Sequence, residues 1–182
     1  DLPLVSIIIP TFNRRDMLKR AIDQVLKQDY PNIEIIVTDN CSEDGTEEMV
    51  RSNYKNEKRV IYHRNETNIG PAMNFRNAFY NLSSGEYCIG LCDDDYFIDS
   101  SYISSAVKLF LENPNAAFVY SGIYYNNIIN NQVYRVKPDM PDIVDGMDFF
   151  INFTTEKYPN MPNPSSLIFK KANALKANAF NG

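Results

Sequence analysis

At 182 residues, 44% of them hydrophobic, the chain is long enough to bury one substantial core, and its composition excludes disorder, collagen and repeat arrays. A formal net charge of −5 argues against the basic face on which non-specific nucleic-acid binding depends, but leaves a nucleotide-sized ligand open. No apolar run approaches a membrane span, so no transmembrane segment is expected.

Leu4 to Ile9 is nearly all apolar and rich in β-branched residues, the pattern of a strand buried on both faces, with Pro10 expected to end it. Asn13 is placed to cap a helix with Asp16 three residues on, and Met17, Leu18, Ala21, Ile22, Val25 and Leu26 form one stripe at helical spacing. A turn at Tyr30 to Asn32 leads into a second apolar run, Ile33 to Thr38. That run ends in Asp39, Asn40, Cys41, Ser42, Glu43, Asp44 and Gly45 before a short helix through Val50, completing a βαβ unit. A third strand at Val60 to His63 precedes Asn68, Gly70 and Pro71 and a helix through Leu82, stopped by Ser83 to Gly85.

The next strand, Cys88 to Cys92, runs straight into Asp93, Asp94 and Asp95. Beyond it the pattern predicts a helix over Tyr102 to Leu111, a strand at Ala117 to Tyr120, and a hairpin from Ile123 to Val136 with Asn126 to Asn131 at its tip. After Lys137 the chain is less regular, with five prolines from Pro138 to Pro164, then a strand Ser166 to Phe169 and a short helical tail. The alternation predicts a three-layer α/β/α, Rossmann-like fold with a mainly parallel central sheet, as a single domain over 1–182.

Three cysteines without paired spacing fit a reducing, cytoplasmic compartment. Cys88 and Cys92 would share one strand face about 13 Å apart, too far for a disulfide, and read as reduced core thiols. The N-terminus carries no secretory signal pattern, and its start at Asp1 rather than Met suggests a trimmed piece.

In a sheet of this kind, ligands gather at the carboxyl ends of the strands. The polar clusters all fall there: Thr11 and Asn13 after the first strand, Asp39 after the second, Asn68 to Asn74 after the third, Asp93 to Asp95 after the fourth. Taken singly, Asn13 reads as a helix cap, Asp44 with Gly45 as a turn, and Asn68 to Pro71 as a helix start. Three adjacent carboxylates at the end of an apolar strand call for a cation, and a hard ion such as Mg²⁺ or Mn²⁺ would share them with a phosphorylated ligand. Asp39 is placed to accept a hydrogen bond from the imide N–H of a pyrimidine base. His63, the one histidine, reads as a packing or surface residue, and Tyr124, Tyr125 and Tyr134 as hairpin packing or a stacking surface for an acceptor sugar.

Pro10, Thr11, Phe12 and Asn13, the stretch Asp39 to Thr46, Asn68 and Gly70 with Asn74 and Asn77, and Gly85, Glu86 and Tyr87 leading into Asp93 to Asp95 resemble, in order and spacing, the family 2 glycosyltransferases of GT-A fold. The resemblance runs from Val5 to about Lys171. It implies an inverting transfer of sugar from a nucleotide diphosphate donor, UDP first, to an acceptor hydroxyl. The acceptor would be a saccharide or lipid-linked saccharide in cell-surface polysaccharide synthesis, handled in the cytoplasm near the inner face of the membrane. Carried over, Pro10, Thr11, Asn13, Asp39, Asp44, Asn68, Gly70, Asn74 and Asp93 would bind the nucleotide sugar. Asp93, Asp94 and Asp95 match the family's DxD metal element in one of two registers. Counted from Gly85, Cys92 takes the place of the first acid of many members, Asp93 faces the ribose, Asp94 takes the metal and Asp95 supports it. Read as D-x-D, Asp93 and Asp95 are the pair. Asn163 to Ser166 lies where the family shapes its acceptor site. The family's general base is an acid in a later segment, and no acid follows Glu156 here, so it is expected beyond Gly182.

One enzyme and two binders compete with this reading. A donor-binding fragment without transfer activity would follow from the missing base. A sugar-1-phosphate nucleotidyltransferase should carry a glycine-rich loop after the first strand, and Pro10 to Arg15 has no glycine. A calcium loop counted from Asp93 puts Ile98 where glycine is needed and Ser104 where glutamate is needed.

Overall fold

The computed structural model describes residues 2–127, 129–136, 141–153, 155, 157–158 and 163–180. Glu156, the last acidic residue, lies outside the described residues.

Strand β1 (Val5–Thr11) forms the centre of a six-stranded sheet because it is apolar on both faces. Val5, Ile7 and Ile9 point to one core and Ile8 to another, the period of two that a pleated strand imposes. Helix α1 (Arg15–Val25) returns the chain to β2 (Ile33–Asp39), which pairs with β1 in parallel from Val5 with Ile33 to Thr11 with Asp39. Helix α2 (Thr46–Asn53) then leads to β3 (Val60–Arg64) on the far side of β2. Helix α3 (Pro71–Asn77) continues into a π-helical turn, Ala78–Leu82, and crosses back to β4 (Tyr87–Gly90), which pairs in parallel with the other edge of β1. The winding direction therefore reverses at β1, and the β1–β4 crevice is the sheet's topological switch point.

After α4 (Tyr102–Glu112) come β5 (Phe118–Tyr120) and a separate antiparallel hairpin of β6 (Ile123–Asn127) and β7 (Gln132–Val136). The chain passes through α5 (Gly146–Asn152) and re-enters the sheet as β8 (Leu167–Lys170), antiparallel to both β4 and β5, and ends in α6 (Lys171–Lys176). The strand order is β3-β2-β1-β4-β8-β5.

Two helical layers cover this sheet. On one face Leu18, Ala21, Ile22 and Val25 of α1, Val50 of α2 and Ile103, Ala106, Val107 and Phe110 of α4 pack against Ile7, Ile35 and Ile89. On the other, Ala78 and Phe79 pack against Ile8, Ile36 and Cys88, with Phe75 and Ala174 alongside. Each fully buried isoleucine or phenylalanine contributes about 1.5–3 kcal/mol, so the sheet's position is set by its own side chains. Gly85 allows the close join of β1 and β4: its N–H donates to Ser6 Oγ at 2.8 Å, and a Cβ there would meet Ser6 Oγ at 2.5 Å and Ser6 N at 2.6 Å. The three-layer, mainly parallel α/β fold is thus as the sequence predicts.

Three local expectations fail for physical reasons. Pro10 lies inside β1 rather than ending it; β4 pairs with β1 only as far as Ile8, so the proline falls where one flank of the strand is already free of a ladder. Cys92 is not a core thiol, because β4 stops at Gly90 and leaves Cys92 exposed while Cys88 stays buried. Helix α5 was not predicted: Phe149, Phe150 and Ile151 are contiguous rather than spaced helically. The helix forms with its N-terminus capped by Asp145, whose Oδ1 accepts from the N–H groups of Met147 and Asp148 at 3.0 Å each.

Candidate functional site

Parallel pairing of β1, β2, β3 and β4 brings four loops to one edge of the sheet, and hydrogen bonds between them define the site. Asn13, in the left-handed region with φ 53°, does not cap α1. Its N–H donates to Ser42 Oγ at 2.9 Å and its Oδ1 accepts from Glu43 N at 2.8 Å, which ties the loop after β1 to the loop after β2. The carboxylate at the start of α1 comes instead from Asp44, whose Oδ2 accepts from Arg15 N at 2.9 Å while Oδ1 accepts from Thr46 Oγ1 at 2.6 Å. Burial works against ionisation of Asp44, but these hydrogen bonds hold its carboxyl below the usual range.

Asp39 ends β2 with no exposed surface. Its Oδ1 accepts from Ser42 N at 2.9 Å and Ser42 Oγ at 2.6 Å, and its Oδ2 from Tyr62 Oη at 2.5 Å. Arg64 Nε stands 4.0 Å from Oδ2. Burial, with Asp39 adding to it, pushes the Tyr62 phenol well up, so Tyr62 stays a donor to this carboxylate.

In the loop after β3, Asn68 Oδ1 accepts from Asn40 Nδ2 at 2.6 Å and from Gly70 N at 2.9 Å, and Gly70 takes φ 83°. Asn74 is 1% exposed. Its Oδ1 accepts from Thr38 Oγ1 at 2.6 Å and Asn65 Nδ2 at 2.8 Å, and its Nδ2 donates to the Thr38 carbonyl at 2.8 Å. Its amide is spent on the scaffold under the loop, which corrects the expectation that its side chain faces a ligand.

The acid triplet divides. Asp93 is buried in the β1–β4 crevice, where Thr11 Oγ1 donates to Oδ2 at 2.8 Å and Arg14 Nη1 to Oδ1 at 3.0 Å. Asp94 is exposed and shares Arg14 Nη1 at 3.2 Å, while its carbonyl accepts from Arg20 Nη2 at 3.2 Å. Asp95 accepts at Oδ2 from Ser165 Oγ at 2.6 Å, and Ser165 Oγ in turn accepts from Cys92 N at 3.1 Å. Potential ligand atoms of Cys92, Asp94 and Asp95 lie within 4.8 Å of one another.

Asp93 is therefore turned away from the group that the other two acids form, against the D-x-D pairing of Asp93 with Asp95. The two carboxylates suit a hard divalent ion such as Mn²⁺ or Mg²⁺, with positions left for phosphate oxygens and water, whereas the soft thiol beside them does not. Burial pushes the Cys92 thiol up.

Pro10 lies in the strand itself, and Thr11, which ends it, donates to Asp93. His63 is exposed, and Tyr125 and Tyr134 face each other across the β6–β7 hairpin, each about half exposed. Sequence reading missed Arg14, Tyr62 and the contact of Ser165 with the acids. Arg14 follows Asn13 directly and was the one with a signal, as a cation on the same edge as the acids.

Comparisons with known proteins give the family and the fold. Residues 6–175 match the family described as Glycosyl transferase family 2. The GalNAc(5)-diNAcBac-PP-undecaprenol beta-1,3-glucosyltransferase of Campylobacter jejuni is 33% identical over 72% of this chain and 40% of its own length. Staphylococcus aureus TarS 1-349 in complex with UDP superposes with a TM-score of 0.76 at 22% identity, over 96% of this chain and 48% of that one. The mannosyltransferase PcManGT from Pyrobaculum calidifontis, in complex with GDP-Man and Mn²⁺, does so at 0.71 and 20% identity, over 98% and 48%. The chain spans about half the length of the curated relatives it matches. Among the described residues, no helix is long and apolar enough to cross a membrane.

Proposed function

Because the chain belongs to glycosyl transferase family 2, we propose that its β1–β4 crevice binds a nucleotide diphosphate sugar, UDP-linked first, as the donor half of an inverting transferase. The observation that carries this reading is the division of labour along one edge: Asp39, buried with its oxygens taken by Ser42 and Tyr62, braces the loop at the nucleoside end, and Cys92, Asp94 and Asp95 cluster after β4. Thr11, Asn13, Asp44, Asn68 and Gly70 line or brace the nucleoside end, and Asp93 faces the ribose. Asp94 and Asp95, with Cys92 beside them, would hold Mn²⁺ or Mg²⁺, which when bound neutralises charge on the departing diphosphate.

The chain's own residues do the rest by position. Thr11 and Arg14 fix Asp93 in the crevice, and the Asn13–Ser42–Asp39 links keep the nucleoside loops together before ligand arrives. The carboxylate that removes the acceptor proton lies, on this reading, outside residues 1–182. These residues then act as one donor-binding domain that binds donor without efficient transfer. The acceptor is a saccharide or lipid-linked saccharide of a cell-surface polysaccharide, handled at the inner face of the membrane. The Campylobacter relative, whose name carries a PP-undecaprenol acceptor, supports that choice.

Calorimetric titration of UDP in Mn²⁺ and in EDTA, on this chain and on its Asp94→Ala and Asp39→Asn variants, tests the reading. Metal-dependent binding weakened at least tenfold in both folded variants is expected. Wild-type binding of GDP or dTDP in place of UDP would change the nucleotide, and binding of none would sink the donor site.

A further inference from the structure

The turn that leads into β8 reaches the acid tip of β4. Pro164–Ser166 is a single 3-10 turn, closed at its start by Asn163 Oδ1, which accepts from Ser165 N at 2.8 Å. Its end is held by Ser166, whose carbonyl accepts from Tyr102 Oη at 2.8 Å and from Ser121 N at 3.1 Å. Antiparallel pairing of β8 with β4 then sets this rigid turn beside Cys92 and Asp95, and Ser165 is 9% exposed.

A serine hydroxyl has one proton and two lone pairs. That of Ser165 gives its proton to Asp95 Oδ2 at 2.6 Å and accepts the N–H of Cys92 at 3.1 Å. One side chain, about 70 residues away in sequence, thus fixes both the rotamer of Asp95 and the backbone from which Asp94 and Asp95 project. Among the described residues, no hydrogen bond reaches the other oxygen of Asp95.

We propose that Ser165 is a positioning residue that holds Asp95 and the Cys92 backbone in the geometry that receives a divalent cation. The inference rests on the donor-site reading above. Outer partners of metal-ligating carboxylates typically matter at the 10–100-fold level in affinity. Ser165→Ala removes the hydroxyl and frees Asp95 to swing into solvent; Ser165→Thr keeps the hydroxyl on the same carbon.

The experiment is Mn²⁺ binding to the chain, read from the loss of the free-ion electron paramagnetic resonance signal, with circular dichroism to confirm folding. Expected results are at least a tenfold loss for Ser165→Ala, near-native binding for Ser165→Thr, and a circular dichroism spectrum like the parent's for both. In an Asp95→Asn background, Ser165→Ala should add no further loss, because the serine acts through that carboxylate. A purely structural serine would instead lower Mn²⁺ binding to the same degree with or without Asp95, and that result overturns the proposal. So does native Mn²⁺ affinity in folded Ser165→Ala. If the alanine variant does not fold, Ser165→Cys, with a weaker donor of similar size, must show an intermediate loss. A wild-type chain that binds no Mn²⁺ refutes the donor-site reading itself.

Discussion

Replacing Asn74 by alanine tests the claim that this residue is scaffold. The substitution strands the hydroxyl of Thr38, the carbonyl of Thr38 and one N–H of the Asn65 amide, which otherwise donates to Asn40, all in a region where Asn74 is 1% exposed. A buried polar group left unpaired costs about 1–3 kcal/mol. At the low end for each of the three, the loss is roughly 3 kcal/mol, a large share of the 5–15 kcal/mol typical of folded domains. For a chain of this size the melting midpoint should fall by about 6–12 °C. Urea and thermal denaturation monitored by circular dichroism measure the two, with exposed Asn81→Ala as the control that should stay within about 0.5 kcal/mol of the parent. A loss below about 1 kcal/mol for Asn74→Ala would refute the reasoning, since the amide would then be neither buried nor spent.

Arg14→Gln removes a guanidinium from Asp93 and Asp94; a half-exposed ion pair of this kind is worth roughly 0.5–1 kcal/mol, so Mn²⁺ alone should bind about threefold tighter, and equal or weaker binding contradicts the competition. The Arg59 side chain donates to both oxygens of Glu57 and holds that carboxyl down at about 2. A lowered folded value means stability that is present above the ordinary 4.5 and lost as pH falls through about 2, so the advantage of the parent over Glu57→Gln in urea midpoint should shrink from pH 6 to pH 2; a constant gap counts against the pair. Burial pushes the Cys88 thiol up to about 11, and Cys88 should react with a disulfide reagent at pH 8 only after unfolding, later than Cys41 and Cys92; three equal rates would show that the second core is open.

What the sequence made legible was whatever a local pattern carries. Apolar runs on both faces marked β1 and β2, helical stripes marked α1 and α4, and polar residues following strands marked one edge as the site. Long-range partners were not legible. Asn13 has the right chemistry for a cap, and only the arrival of Glu43, 30 residues on, diverts it. Three identical aspartates carry no local sign of which one turns inward; Thr11 and Arg14, about 80 residues earlier, decide it. Cys92 falls out of the strand because the β1–β4 ladder is only four residues long, a length no composition reveals.

The insertion of β8 between β4 and β5 has a consequence for biosynthesis. Until Leu167–Lys170 emerges from the ribosome, β4 has only β1 beside it, and its outer edge presents unpaired backbone groups between Tyr87 and Gly90. About 80 residues separate the end of β4 from the end of β8, which at roughly 5–20 residues per second is about 4–16 s of translation. During that interval the parallel half, β3-β2-β1-β4, must persist on the nascent chain with an open seam beside the acid triplet, and the arriving strand seals that seam while delivering Ser165 to Asp95.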